Sequence, residues 1–238
     1  MLEEYTNNRT VWESMSDVVN LRSDVLVNRR VLDLAAARCM GRKVLELGSG
    51  NGKFARQLAQ RGAEVTGVDV CKEQVEFARC LESEQQQHIT YIHGDILQLE
   101  DLLPLEMFDT VFSLMTHLYV SPDDLARSFV QIADRLRLGG TFVYGNVHPQ
   151  RISGCEPTNI CGRELRAATL PTVNGLAFTT TYWQHPLDVI LEAMTVAGLR
   201  VEQMREPLPT SDELAAYPSL FDSKDATEPA YILITCTK

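Results

Sequence analysis

Apolar residues along this chain alternate between two periods from residue 43 onward. Short apolar-rich runs, such as Val44-Leu45 with Leu47, Val65 to Val68, Ile89 to Ile92 and Val111 to Met115, have the pattern of strands buried on both faces. Between them, apolar positions recur every three or four residues. Phe54, Leu58 and Ala59 predict a helix over 53–61 that ends at Gly62. A second helix is expected over 72–84, and Leu97, Leu99, Leu102 and Leu103 predict a short one stopped by Pro104. Ser121-Pro122-Asp123-Asp124 reads as a helix start, with an N-cap serine, a first-turn proline and first-turn acids. The helix it opens carries Leu125, Phe129, Ile132, Ala133 and Leu136 and is expected to end at Gly139-Gly140, before a strand over 141–147. Strands alternating with helices predict an α/β chain with a parallel sheet.

The flanks follow the same logic. Residues 1–40 place Val18, Val19, Leu21, Val25, Leu26, Val31, Leu32 and Leu34 at helical intervals, predicting two or three short helices. Residues 150–180 lack a period and are rich in Gly, Pro, Thr and Asn, as functional loops often are. A lid or small hairpin is expected there, with a β-type segment over 177–183. Residues 186–197 predict a helix closed by Gly198, and 207–229 is polar and proline-marked, read as a loop. No repeat or second domain is evident. The expected organisation is one domain over 1–238: a cap over 1–40, a core over 43–148, a lid over 150–182, and a C-terminal helix with strands over 183–238.

The most telling stretch is Lys43-Val-Leu-Glu-Leu-Gly-Ser-Gly-Asn-Gly52, a strand that breaks into closely spaced glycines and opens a helix. Such a loop can lie flat against a ligand and offer it backbone N–H groups. The second strand ends on Asp69, where nucleotide-binding α/β units place a carboxylate for a ribose diol. The third ends on Gly94-Asp95-Ile96. Ligands bind outside the carboxyl ends of strands in open α/β sheets, so these acids and the loop should share one pocket. Helix N-capping or turn formation is the alternative role for both acids.

Together these features resemble the class I S-adenosylmethionine-dependent methyltransferases. Gly48, Gly50 and Gly52 match that family's G-x-G-x-G, not the dinucleotide G-x-G-x-x-G. Phe108 to His117 resembles its fourth motif, and Leu138 to Val143 the turn into its fifth strand. The resemblance implies a Rossmann-like seven-stranded, mostly parallel sheet with helices on both faces. It further implies an antiparallel C-terminal edge pair, from 201–204 and 230–237, and an N-terminal helical cap. It implies S-adenosylmethionine as cofactor and S-adenosylhomocysteine as product. Asp69 would take the ribose hydroxyls, Asp95 the adenine amino group, Val70 and Ile96 the two faces of the ring, and Gly48 and Gly50 the methionine part. Glu46, Ser49, Asn51, Gly52 and Leu114 complete the expected cofactor set. Tyr5, Asn8, Arg9 and Trp12 of the leader could reach the acceptor, although Tyr5 and Trp12 could equally be packing aromatics.

Composition narrows the partners. The formal net charge of −10 argues against a nucleic-acid partner, which is held through clustered Lys and Arg. No apolar stretch reaches the roughly 20 residues of a membrane span, so a cytoplasmic protein, monomer or homodimer, with a small-molecule partner is expected. The cysteines are scattered without a C-x-x-C pair and read as free thiols. Cys155 and Cys161 share one loop and could bind a soft metal, but no metal is expected.

Methyl transfer is an in-line displacement at a sulfonium methyl, in which positioning and exclusion of water carry most of the acceleration. A base is needed only for a neutral hydroxyl or an ammonium. Histidines at strand ends are the candidates, because their pKa lies near neutrality. His117 and His148 are therefore the expected catalytic and acceptor-binding histidines, with Tyr182 as a further acceptor contact. His185 stands where a related subgroup carries Tyr-His-Arg, but here it lies in Trp183-Gln184-His185-Pro186, which leaves its role open. The expected function is methylation of an oxygen or nitrogen of a small metabolite, of the kind used in secondary metabolism. Methylation of a macromolecule and non-catalytic cofactor binding stand as alternatives.

Overall fold

The computed structural model describes residues 22–36, 39–150, 165–171, 177–218, 220–221 and 223–238. Strands β1 (Lys43–Leu47), β2 (Glu64–Asp69), β3 (Thr90–His93), β4 (Phe108–Leu114), β5 (Leu136–Val147), β8 (Arg200–Arg205) and β9 (Tyr231–Thr237) form one seven-stranded sheet in the order β3-β2-β1-β4-β5-β9-β8. The first five run parallel, and β9 pairs antiparallel with both β5 and β8. The remaining strands, β6 (Leu165–Pro171) and β7 (Ala177–Trp183), make a separate antiparallel hairpin. The Rossmann-like sheet with its antiparallel C-terminal edge is thus present as expected, as is a hairpin within the region read as a lid.

Side chains alternate between the two faces of the sheet. Leu45, Leu47, Phe142, Tyr144, Ile232 and Ile234 enter one core with Leu99, Phe129, Ile132, Ile190 and Met194. Those partners come from helices α4 (Leu99–Leu102), α5 (Leu125–Arg135) and α6 (Leu187–Val196) and from their borders. Val44, Phe112, Val143 and Leu233 face the other way. There they meet α1 (Arg29–Ala36) with the π-helical turn Asp24–Asn28 before it, α2 (Lys53–Ala59) and α3 (Lys72–Gln85). Each fully buried leucine or phenylalanine contributes about 1.5–3 kcal/mol, so both faces are held by burial.

Three local expectations are corrected. Helix α5 starts at Leu125, not at Pro122, because Ser121 closes a turn first: its hydroxyl donates to Asp124 Oδ2 (2.6 Å) and accepts the Asp124 amide (3.2 Å). Gly139-Gly140 does not end that helix. The chain passes from Arg135 directly into β5, and Gly139, at φ 74°, sits in an irregularity where the register against β4 jumps from Leu136 to Thr141. The polar 207–229 segment contains a helix, α7 (Ser211–Ala216), opened by a capping box between Thr210 and Glu213 and tied to the leader through Arg30 and Glu213 (2.9 Å).

Among the described residues, no helix is long and apolar enough to cross a membrane. Tyr5, Asn8, Arg9, Trp12, Cys155 and Cys161 lie outside the described residues.

Candidate functional site

Strand order reverses between β1 and β4, since the chain leaves β1 to build β2 on one side and later returns to build β4 on the other. A crevice opens at the carboxyl ends at such a point. Gly48 to Gly52 follow β1 there, Asp69 and Val70 end β2, Asp95 and Ile96 follow β3, and Leu114 ends β4. The fold therefore brings the expected cofactor residues to one edge of the sheet.

Two features hold the loop. Asp69, only 2% exposed, accepts the Gly50 amide on Oδ2 (2.7 Å) and the Cys71 amide on Oδ1 (2.8 Å). Burial pushes its carboxyl above the usual range, while those two amides pull in the opposite direction. Thr116, which the sequence reading did not single out, donates from Oγ1 to Leu47 O (2.9 Å) and binds the loop after β4 to the end of β1. Gly48 is required at that contact: its φ is 71°, and a Cβ would overlap the Thr116 hydroxyl. Gly48→Ala should therefore lower the unfolding free energy by at least about 2 kcal/mol in urea denaturation, the left-handed backbone and the overlap adding together.

Gly50 differs, because a Cβ there would meet nothing within 4 Å, so the loop's outer side is open. Nearby, Glu46 Oε2 and Ser49 Oγ are buried without a hydrogen-bond partner. Burial and then the Asp69 charge push the Glu46 carboxyl well above the carboxylate range. Buried polar atoms are ordinarily satisfied, so two orphans beside an open glycine loop fit a polar ligand. Asp95 carries the alternative role as well: its Oδ1 caps the short helical turn Ile96–Gln98 by accepting Leu97 N (2.9 Å).

The two expected catalytic histidines do not present a vacant nitrogen. His117, 1% exposed, does not face the crevice but stacks on Phe129 (4.8 Å between ring centres) inside the core. Ser128 Oγ spends its proton on Leu125 O (2.6 Å), so it accepts from His117 Nε2 (3.1 Å), and Ser113 then donates to Nδ1 (2.8 Å). Burial, with the neighbouring His185 second, lowers its pKa to about 3. A histidine so enclosed is a core residue, which corrects its expected place at the methyl end. His148 does stand at the carboxyl end of β5, yet its Nε2 lies 2.9 Å from Glu206 Oε1 and its Nδ1 accepts the Gln150 amide (3.2 Å).

Beside His148 is a cavity of about 20 Å³ lined by Leu118, Asn146, His148, Tyr182, Gln184 and His185 among others. A larger cavity, about 310 Å³, opens on the opposite face between Leu34, Thr110, Thr141, Gln203 and Thr237. These residues lie toward the amino ends of β4 and β5, away from the glycine loop, so size does not mark the site here.

Comparisons with known proteins agree with this geometry. Residues 44–140 match the model of a methyltransferase domain family. The ubiquinone biosynthesis O-methyltransferase of Vibrio cholerae is 35% identical over 104 residues, 44% of this chain and 41% of that protein. The match thus spans less than half the length of such curated relatives. An S-adenosylmethionine-dependent methyltransferase from Mesorhizobium loti superposes with a TM-score of 0.65 at 22% identity, over 88% of this chain and 96% of that one. The cyclase SpnF superposes with a TM-score of 0.58 at 20% identity, over 88% of this chain and 80% of that one. Residues 44–140 of this chain match a methyltransferase domain, and the chain has the fold of the class I S-adenosylmethionine-dependent methyltransferases.

Proposed function

We propose that the protein binds S-adenosylmethionine at the glycine loop and transfers its methyl group to an oxygen or nitrogen of a small molecule. One observation carries this reading: the loop is braced by the Asp69 carboxylate on one side while Gly50 is open on the other, beside two unpartnered buried polar atoms. Glu46, Ser49 and Gly50 would hold the amino-acid end of the cofactor, with Asp69, Val70, Asp95 and Ile96 at its nucleoside. When bound, that cofactor supplies an electrophilic sulfonium methyl. The chain's own contribution is to position the acceptor against that methyl and to keep water from it. The curated relative from Vibrio cholerae is named a ubiquinone biosynthesis O-methyltransferase, which supports this choice of acceptor. The net charge of −10 weighs against a nucleic-acid acceptor.

Fold does not decide the reaction, as the cyclase neighbour illustrates. Calorimetric titration with S-adenosylmethionine and S-adenosylhomocysteine, followed by transfer of labelled methyl to a panel of phenols, alcohols and amines, tests the proposal. Micromolar binding of both ligands with label appearing in an acceptor is expected. Absence of binding would overturn the proposal, and binding without transfer to any acceptor would leave a non-catalytic cofactor protein in its place.

A further inference from the structure

Of the three histidines near the ends of β4 and β5, His185 is the one with a nitrogen left over. It is 3% exposed, and its Nε2 lies 3.0 Å from Val120 O and 3.2 Å from His117 O. Carbonyl oxygens only accept, so Nε2 carries the proton and Nδ1 is a bare acceptor. Among the described residues nothing donates to Nδ1. Its neighbour Gln184 repeats the arrangement, since Nε2 donates to Pro149 O, which orients the amide and leaves Oε1 buried and unpartnered. Both residues line the same small cavity.

Two unpartnered acceptors on residues that line one cavity specify the group that belongs beside them. A carboxylate, thiolate or phosphonate would face them lone pair to lone pair, at a cost made larger by burial. An amino group, with two protons to give, would satisfy both, and a hydroxyl, with one, would satisfy one of them. A cavity of about 20 Å³ holds one such group, being roughly the space one water needs. We propose that Gln184 Oε1 and His185 Nδ1 form an acceptor-only subsite that selects a methyl acceptor presenting an O–H or N–H donor and rejects anionic acceptors. The proposal rests on the methyl-transfer reading only in assigning that group to the acceptor; the subsite itself stands on the two orphan atoms.

The test uses the full chain labelled with nitrogen-15 at histidine and titrated, alone and saturated with S-adenosylhomocysteine, with phenol, benzylamine, anisole and benzoate. The probes share a ring and differ in the group offered to the subsite. Phenol or benzylamine should move the His185 Nδ1 resonance toward its hydrogen-bonded position and bind about tenfold tighter than anisole or benzoate, one lost hydrogen bond being worth roughly that factor. A response to phenol alone assigns a hydroxyl, and to benzylamine alone an amine. Gln184→Leu, and separately His185→Gln, should each weaken benzylamine about tenfold, and one of the two should weaken phenol by that factor, while leaving the affinity for S-adenosylhomocysteine unchanged. Benzoate binding as tightly as phenol, or a His185 resonance that no probe moves, would overturn the proposal. Failure of S-adenosylhomocysteine to bind would overturn the function proposed above, and the titration of the protein alone would still decide the subsite.

Discussion

Asp69→Ala is expected to weaken S-adenosylmethionine binding by about 100-fold or more, because it removes the acceptor of two loop amides together with the carboxylate proposed to hold the nucleoside. Gly50 N and Cys71 N both donate to this one side chain, at 2.7 and 2.8 Å. A hydrogen bond to a charged group contributes about 1.5–3 kcal/mol, and an amide left buried without a partner costs a similar amount. Unfolding free energy should therefore fall by about 2–3 kcal/mol as well. Asp69→Asn separates the two effects, since its carbonyl keeps one amide satisfied. Burial raises the Asp69 pKa, so ionising it costs stability as pH rises through that raised value, and asparagine escapes this cost. Calorimetry on both variants, with urea denaturation as the control for folding, gives the answer. Unchanged affinity in a folded Asp69→Ala would remove Asp69 from the cofactor site.

A second large effect is expected at His117, and it concerns stability. The ring stacks on Phe129 and meets Tyr144 and Phe142 at 5.4 and 6.5 Å between ring centres, with both nitrogens paired. His117→Ala should cost about 3 kcal/mol at pH 7.5, as deletion of a large core ring does. The wild type should also lose stability as pH falls. A histidine held near pKa 3 in the fold and at its ordinary 6.5 when unfolded binds its proton first in the unfolded chain. Its neutral form therefore favours the fold fully above pH 6.5, and that advantage drains away toward pH 3 at up to about 1.4 kcal/mol per unit. The pKa of His185 is lowered too, mainly by burial, and adds in the same direction. Urea midpoints measured from pH 7.5 to 4.5 should fall steeply in the wild type and less steeply in His117→Ala. Parallel curves for the two proteins would show that His117 is not the buried group responsible.

Much of this molecule was legible before any coordinate. Runs such as Val44 to Leu47 and Val65 to Val68 became buried parallel strands, and the intervals of Phe54 and Leu58, or of Leu125, Phe129 and Ile132, became the helices covering them. These readings held because strand and helix each impose a period on neighbouring residues, and burial selects side chains at that period. The spacing of Gly48, Gly50 and Gly52, Asp69 and Asp95 likewise placed them at one edge of the sheet, since every parallel strand points the same way. The capping box of α7 was written locally in Thr210 and Glu213 yet passed over, because the helix it opens has no buried residues and so no apolar period.

Tertiary structure alone decided what the histidines do. Each of His117, His148 and His185 sits next to a strand end, and along the chain they look alike. His117 is closed off by a serine 11 residues away, and His148 meets a carboxylate 58 residues away. His185 spends its Nε2 on carbonyls 65 and 68 residues distant, and this leaves Nδ1 bare. A ring nitrogen's proton and availability are set by the partner it meets in space. No periodicity carries that information, so the backbone plan belonged to the sequence and the chemistry of the pocket to the packed fold.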